Sequence, residues 1–155
     1  MPAVPVATKK FYTAAEANRS LPLVRVIVAD IVRQWRGVAE LESRLSATER
    51  PPAKGGKSAK PADLYEEERA QSRAELESQQ AQLQVYVDEL NKLGVELKGP
   101  DGLCDFPGQV EGREVCLCWR LGEPEVGFWH EVDAGFAGRK PIGTLGARGR
   151  RSSAQ

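Results

Sequence analysis

The sequence predicts an α+β fold in which a long antiparallel helical hairpin is followed by a small antiparallel β-hairpin module. Two observations place the helices. Apolar residues recur at three- and four-residue steps on either side of a proline- and glycine-rich break, and each periodic stretch opens on a capping-box pattern. A third places the sheet: Arg113 to Leu121 and Val126 to Val132 alternate along the chain on either side of Gly122-Glu123-Pro124-Glu125.

Residues 1–10 carry prolines and small side chains without a period, and are expected to form a flexible arm. Thr13 followed by Glu16 satisfies orphan amides at a helix start, so the first helix is expected over about 14–48. Pro22 cannot donate to the carbonyl of Asn18, which predicts either a kink or a short helix ending near Ser20 with a second one restarting at Pro22. Leu21, Val24, Val28, Ile31, Trp35, Val38, Leu41 and Leu45 then form one apolar stripe. Residues 49–62, ERPPAKGGKSAKPA, have no apolar period and are expected to be a mobile connector. Asp63 with Glu66 repeats the capping logic, opening a second helix over about 63–93. Leu76, Leu83 and Leu90 recur by sevens there, as in a coiled coil, with Tyr86 and Leu93 filling the seam. Gly94 stands where a left-handed residue stops a helix, and Val95 can fold back onto the last turn. A hairpin buries one stripe of each helix, so the leftover flank, including Leu23, Ile27 and Val32, needs cover from the β module or from a second copy of the chain.

The β module occupies 95–142 and completes a single domain over 11–142. If Leu121 faces Val126, the pairs continue as Trp119 with Phe128, Leu117 with His130 and Val115 with Val132. This register lays Trp119 and His130 on the side expected to pack on the helices. Cys116, Cys118, Arg120 and Trp129 then share a mixed opposite side, and a slip of one residue would exchange the faces. Val95 to Leu97 is expected to add a short strand. Asp105-Phe106-Pro107-Gly108 and Gly135 to Pro141 are expected to fold over the edges, and 143–155 to be a disordered tail.

Composition narrows the partners. The 155 residues carry 22 basic and 22 acidic side chains, leaving no long-range field for nucleic acid or an anionic membrane. Lys54, Lys57, Lys60 and the arginines of the tail make only local basic patches, so neither partner is expected. Three cysteines are an odd number, and Cys116 and Cys118 cannot be bridged along a strand without distortion, which predicts a reducing compartment. The start has no apolar signal core and no run of eighteen apolar residues occurs, so the expected location is the cytoplasm.

Chemistry is expected on the mixed side of the sheet. Cys104, Cys116, Cys118 and His130 are zinc-ligand types. A strand is not a zinc knuckle, however, and the register above sends His130 to the other face, so neither metal nor other cofactor is expected and the thiols read as packing. Arg120, diagonal to Trp129, can stack on the indole. With Arg139 and the amides of Gly135-Phe136-Ala137-Gly138 it could instead hold a carboxylate or phosphate, although Asp105, Glu123, Glu125, Glu131 and Asp133 are nearer partners in a structural reading. His130 fits a general base oriented by Glu131 or Asp105, or a hydrogen-bonded core histidine. No nucleophile elbow, phosphate loop or dinucleotide fingerprint occurs, so no catalytic residue is assigned.

Several separated motifs resemble one known family. They are Glu16-Ala17-Asn18-Arg19 with Leu21-Pro22-Leu23-Val24, Gly102-Leu103 with Asp105-Phe106-Pro107, Leu117 to Glu123, Trp129-His130, and Gly135 to Arg139 with Pro141. In this order they look like the bacterial family catalogued as domain of unknown function 2203. The resemblance implies a small cytosolic protein with a helical front and a β end, and brings no activity, cofactor or partner. In that family's pattern an aliphatic residue is more usual at the positions of Cys104 and Cys116. Its chemically loaded positions here are Asp105, Arg120, Glu123, Trp129, His130 and Arg139, the candidate ligand-binding residues. The function expected from all of this is a non-catalytic cytosolic interaction or scaffold protein, self-associating as a homodimer through its helical hairpin. Its partner is otherwise an unidentified protein. The alternative is an anionic-ligand-binding protein or small enzyme using the Arg, His and acid cluster.

Overall fold

The structure, a computed structural model, describes residues 10–48 and 62–145. The arm, most of the connector and most of the tail, including Lys54, Lys57, Lys60, Arg148, Arg150 and Arg151, lie outside the described residues. Helix α1 spans Ala14–Ala47 and α2 spans Ala62–Lys92. Five strands follow: β1 (Glu96–Leu97), β2 (Leu103–Val110), β3 (Arg113–Arg120), β4 (Phe128–Glu131) and β5 (Lys140–Pro141). They form one antiparallel sheet in the order β1-β2-β3-β4-β5. The architecture is therefore the α+β arrangement of a helical hairpin followed by a β module, with a larger sheet than a single β-hairpin.

Helix α1 starts on the expected capping box: the Thr13 hydroxyl accepts from the Glu16 amide and the Glu16 carboxylate from the Thr13 amide, each at 3.0 Å. It runs unbroken through Pro22 rather than restarting there. The ring removes one donor, and the carboxamide of Asn18 works in the same turn, donating to the Ala14 carbonyl at 3.0 Å. Helix α2 begins at Ala62, so Asp63 lies inside its first turn rather than at a cap. Its carboxylate accepts from the Leu64 amide at 3.2 Å, still placing negative charge at the helix start. The other end closes as expected. Gly94 is left-handed at φ 85°, Val95 donates to the Leu90 carbonyl at 3.3 Å and Gly94 to Asn91 at 2.8 Å, a Schellman closure. The Tyr12 hydroxyl adds a bond to the Leu93 carbonyl at 2.5 Å. The Tyr65 hydroxyl donating to the Thr48 carbonyl and the Gln80 carboxamide donating to the Glu42 carboxylate fix the helices as antiparallel.

Strand β2 covers Asp105 to Gly108, the segment expected to fold over an edge. Pro107 is tolerated because its carbonyl points away from β3, accepting the Tyr12 amide at 2.7 Å, so the absent N–H lies on that same side and costs β3 no bond. Glu111 and Gly112, at φ 52° and 80°, make the tight turn into β3. One face of the sheet, with Phe106, Val115, Leu117, Trp119 and Trp129, joins Leu21, Val24, Val28 and Ile31 of α1 in a single buried cluster. Ile27 and Val32 are covered there, whereas Leu23 stays 54% exposed. Gly102, at φ 91°, brings the β1–β2 turn against α1: a Cβ there would stand 2.7 Å from Leu121 and 3.2 Å from Val28. Gly143 to Leu145, expected as tail, belong to a helical turn, because Thr144 accepts from the Trp129 indole at 2.9 Å and Leu145 packs on the core.

Candidate functional site

The outer face of the sheet carries the candidate residues, in a register that differs from expectation. Cys116 pairs with His130, Leu117 with Trp129 and Cys118 with Phe128, one residue out from the Leu117–His130 pairing. The slip reverses β4: His130 turns to the cysteine face and Trp129 to the core. Its cause lies in the loop after β3. Val126 is not a strand residue, because its amide donates to Asn18 Oδ1 at 2.7 Å and its side chain is buried under α1. Alternation along the sequence cannot register that Val126 spends its amide on a helix.

Both candidate arginines have carboxylate partners, one inside the candidate set and one outside it. Arg139 Nη2 bonds Glu123 at 2.7 Å, and Arg120 Nη1 reaches Asp101 at 3.2 Å. The Arg139 guanidinium lies 4.0 Å from the Phe128 ring centroid and 4.6 Å from that of Phe136, and Arg120 stands 4.8 Å from Phe136. The ring stacked by Arg120 is thus Phe136 and not Trp129, whose own cation is Lys140 at 4.8 Å. These contacts clamp the short 3-10 turn Phe136–Gly138 onto the sheet. Of the Gly135 to Gly138 amides proposed by sequence as anion donors, that of Gly138 bonds the Gly135 carbonyl at 3.0 Å, and the Arg139 amide beside it bonds the Phe136 carbonyl at 3.1 Å. Burial alone would raise the Glu123 carboxyl, but the Arg139 guanidinium and the Arg120 amide outweigh it and hold the group below its ordinary value.

Beside this clamp lies a second cluster. Asp105 and His130 are 5% and 2% exposed, and His130 Nε2 stands 3.1 Å from Asp105 Oδ1. His130 Nδ1 is 2.7 Å from the Glu131 carbonyl oxygen, which can only accept, so Nδ1 carries a proton. Nε2 therefore faces the Asp105 carboxyl at hydrogen-bond distance. Cys116, half-buried, completes the cluster: ligand atoms of Asp105, Cys116 and His130 all lie within 4.8 Å of one another. Burial, aided by the Asp105 charge, pushes the Cys116 and Cys104 thiols up to about 12. Cys118 is pushed to about 11 by burial, against the pull of Arg139. All three are free thiols.

Thus Asp105, Arg120, Glu123, His130 and Arg139 share the outer face and its adjoining loop, and Trp129 does not. Sequence reasoning gave no role to Asn18, Arg25 or Asp101. Asn18 and Arg25 hold the 121–127 loop on α1, Arg25 by donating to the Pro124 carbonyl at 3.1 Å while lying 5.9 Å from the Trp119 ring centroid. Asn18 carried a signal in being the residue whose carbonyl Pro22 leaves without its usual donor; Arg25 and Asp101 carried none.

No curated protein and no solved structure matches the chain. One family model does, over residues 10–142, which takes in both helices and the entire sheet. The chain belongs to the family described as "Uncharacterized conserved protein (DUF2203)".

Proposed function

We propose that this is a non-catalytic interaction protein that forms a homodimer through the uncovered flank of its helical hairpin. The observation that carries the reading is the poor cover of α2, where Leu90 alone is buried among the described residues and Leu76, Leu83, Tyr86, Val87 and Leu93 are half-buried. Next to it, Trp35 of α1 is 38% exposed and lines, with Leu83, Val87, Leu97 and Pro100, a groove of about 600 Å³. A tryptophan flanking such a groove, whose apolar floor is rimmed by Gln84, Asn91, Glu96 and Lys98, is the kind of anchor interfaces concentrate their energy on. The anion-binding alternative has less support, because Arg120 and Arg139 already have carboxylate partners and burying another anion would mean breaking those pairs.

The test is light scattering over a concentration series. The wild type is expected to show a concentration-dependent dimer. Trp35→Glu or Val87→Glu is expected to leave a folded monomer, while Leu23→Glu, outside the groove, is expected to dimerise as before. A wild type that stays monomeric at the highest concentration contradicts the reading.

A further inference from the structure

We propose that Asp105, Cys116 and His130 form a binding site for one divalent transition-metal ion of the zinc class. The three residues come from β2, β3 and β4, and the ladder pairs that join them, Asp105 with Cys118 and Cys116 with His130, put all three side chains on the outer face. Their ligand atoms lie within 4.8 Å of one another. An ion with bonds of about 2.0 to 2.3 Å holds its ligand atoms roughly 3.3 to 3.7 Å apart, so the cluster needs to close by only about 1 Å. The rigid part of the set is already at ligand spacing, with His130 Nε2 and Asp105 Oδ1 at 3.1 Å. The part that must move is Cys116, the most exposed of the three and the side from which an ion would enter.

The histidine is oriented as a metal ligand would be. Its Nδ1–H is donated to the Glu131 carbonyl, which fixes the ring and leaves Nε2 directed at the site, the outer-sphere arrangement typical of ligating imidazoles. A thiol, an imidazole and a carboxylate together suit a borderline-soft ion; calcium and magnesium take oxygen donors. Three protein ligands leave a fourth position for water. Lys98, whose charge bears on Cys116 and Asp105, is itself paired with Glu96 at 3.2 Å. On binding, the Cys116 S–H bond is replaced by a metal–sulfur bond and the thiol proton goes to solvent. With Cys116 bound as thiolate and Asp105 as carboxylate, two negative charges face the dication, which meets the cost of burying an unpaired charge.

The experiment titrates metal-free, full-length protein with Zn²⁺ alone by calorimetry, and with Co²⁺ alone by absorption, where a thiolate ligand produces a charge-transfer band. The wild type is expected to take up one equivalent of Zn²⁺ and to show that band with Co²⁺. Cys116→Ala, at a half-exposed position that leaves the core intact, is expected to bind at least tenfold more weakly and to lose the band. Cys118→Ala is expected to retain both. Absence of stoichiometric binding by the folded wild type overturns the site, as does binding with an intact band in Cys116→Ala.

Discussion

The two helices of the hairpin are of similar length yet are held very differently. Helix α1 buries nine residues, from Ala17 to Leu41, whereas α2 buries only Leu90 among the described residues. The cause is the layering. The sheet lies against the first half of α1, so that helix is covered by strands on one side and by α2 on another, while α2 packs on α1 and reaches the sheet mainly at the two-residue strand β1 near its C-terminal end. A stripe on one face of a helix is enough for a clasp but not for a core, and the apolar surface that α2 and Trp35 keep in water is the part of the fold that a second copy would complete.

The comparison can be broken most strongly from the α1 side. Trp119 is fully buried against α1 with its indole donating to the Glu123 carbonyl at 2.9 Å, so Trp119→Ala is expected to cost about 3 to 5 kcal/mol in chemical denaturation. Gly102→Ala, which forces a left-handed Cβ against Leu121 and Val28, should cost at least about 1 to 3 kcal/mol and lower the melting temperature in parallel. Asn18→Ala leaves the Val126 amide without its acceptor; about 1 to 3 kcal/mol is expected, with hydrogen exchange in 121–127 rising before that of the strands. On the α2 side, Val85→Ala at a position 49% exposed should change stability by less than about 0.5 kcal/mol in the same denaturation assay. Equal losses from Trp119→Ala and Val85→Ala would erase the asymmetry.

Acid supplies the smallest and most local perturbation. The Glu123 carboxyl is held below its ordinary value, so the folded chain keeps it ionised at pH values where the unfolded chain already binds the proton. Its stabilisation is therefore complete above the unfolded value and is lost as pH falls through the folded one. Denaturation between roughly pH 6 and 3 should show a loss of no more than about 1 kcal/mol that is absent in Glu123→Gln.

Much of the helical half was legible because its signals are local. Thr13 with Glu16 and Gly94 with Val95 each act within a turn or two, and each was found at the helix end where the sequence placed it. The sheet was legible only in part. Strand β3 alternates cleanly, but β2 contains Pro107 and Gly108 and reads as a loop until Tyr12 is known to take the Pro107 carbonyl. The register of β4 depended on Asn18, more than a hundred residues earlier, taking the Val126 amide. That contact decided which face received His130, and with it whether Asp105, Cys116 and His130 could meet at all. A slip of one residue, invisible to local pattern, separates a core histidine from a cluster of ligand-type side chains.

The account rests on α2 and Trp35 offering a surface that a second copy covers. Hydrogen exchange followed by mass spectrometry at a low and a high protein concentration tests this most directly. Protection in α2 between Leu76 and Leu93, and around Trp35, is expected to rise with concentration while that of Leu21 to Ile31 stays constant. Protection that is the same at both concentrations throughout α2 would contradict it.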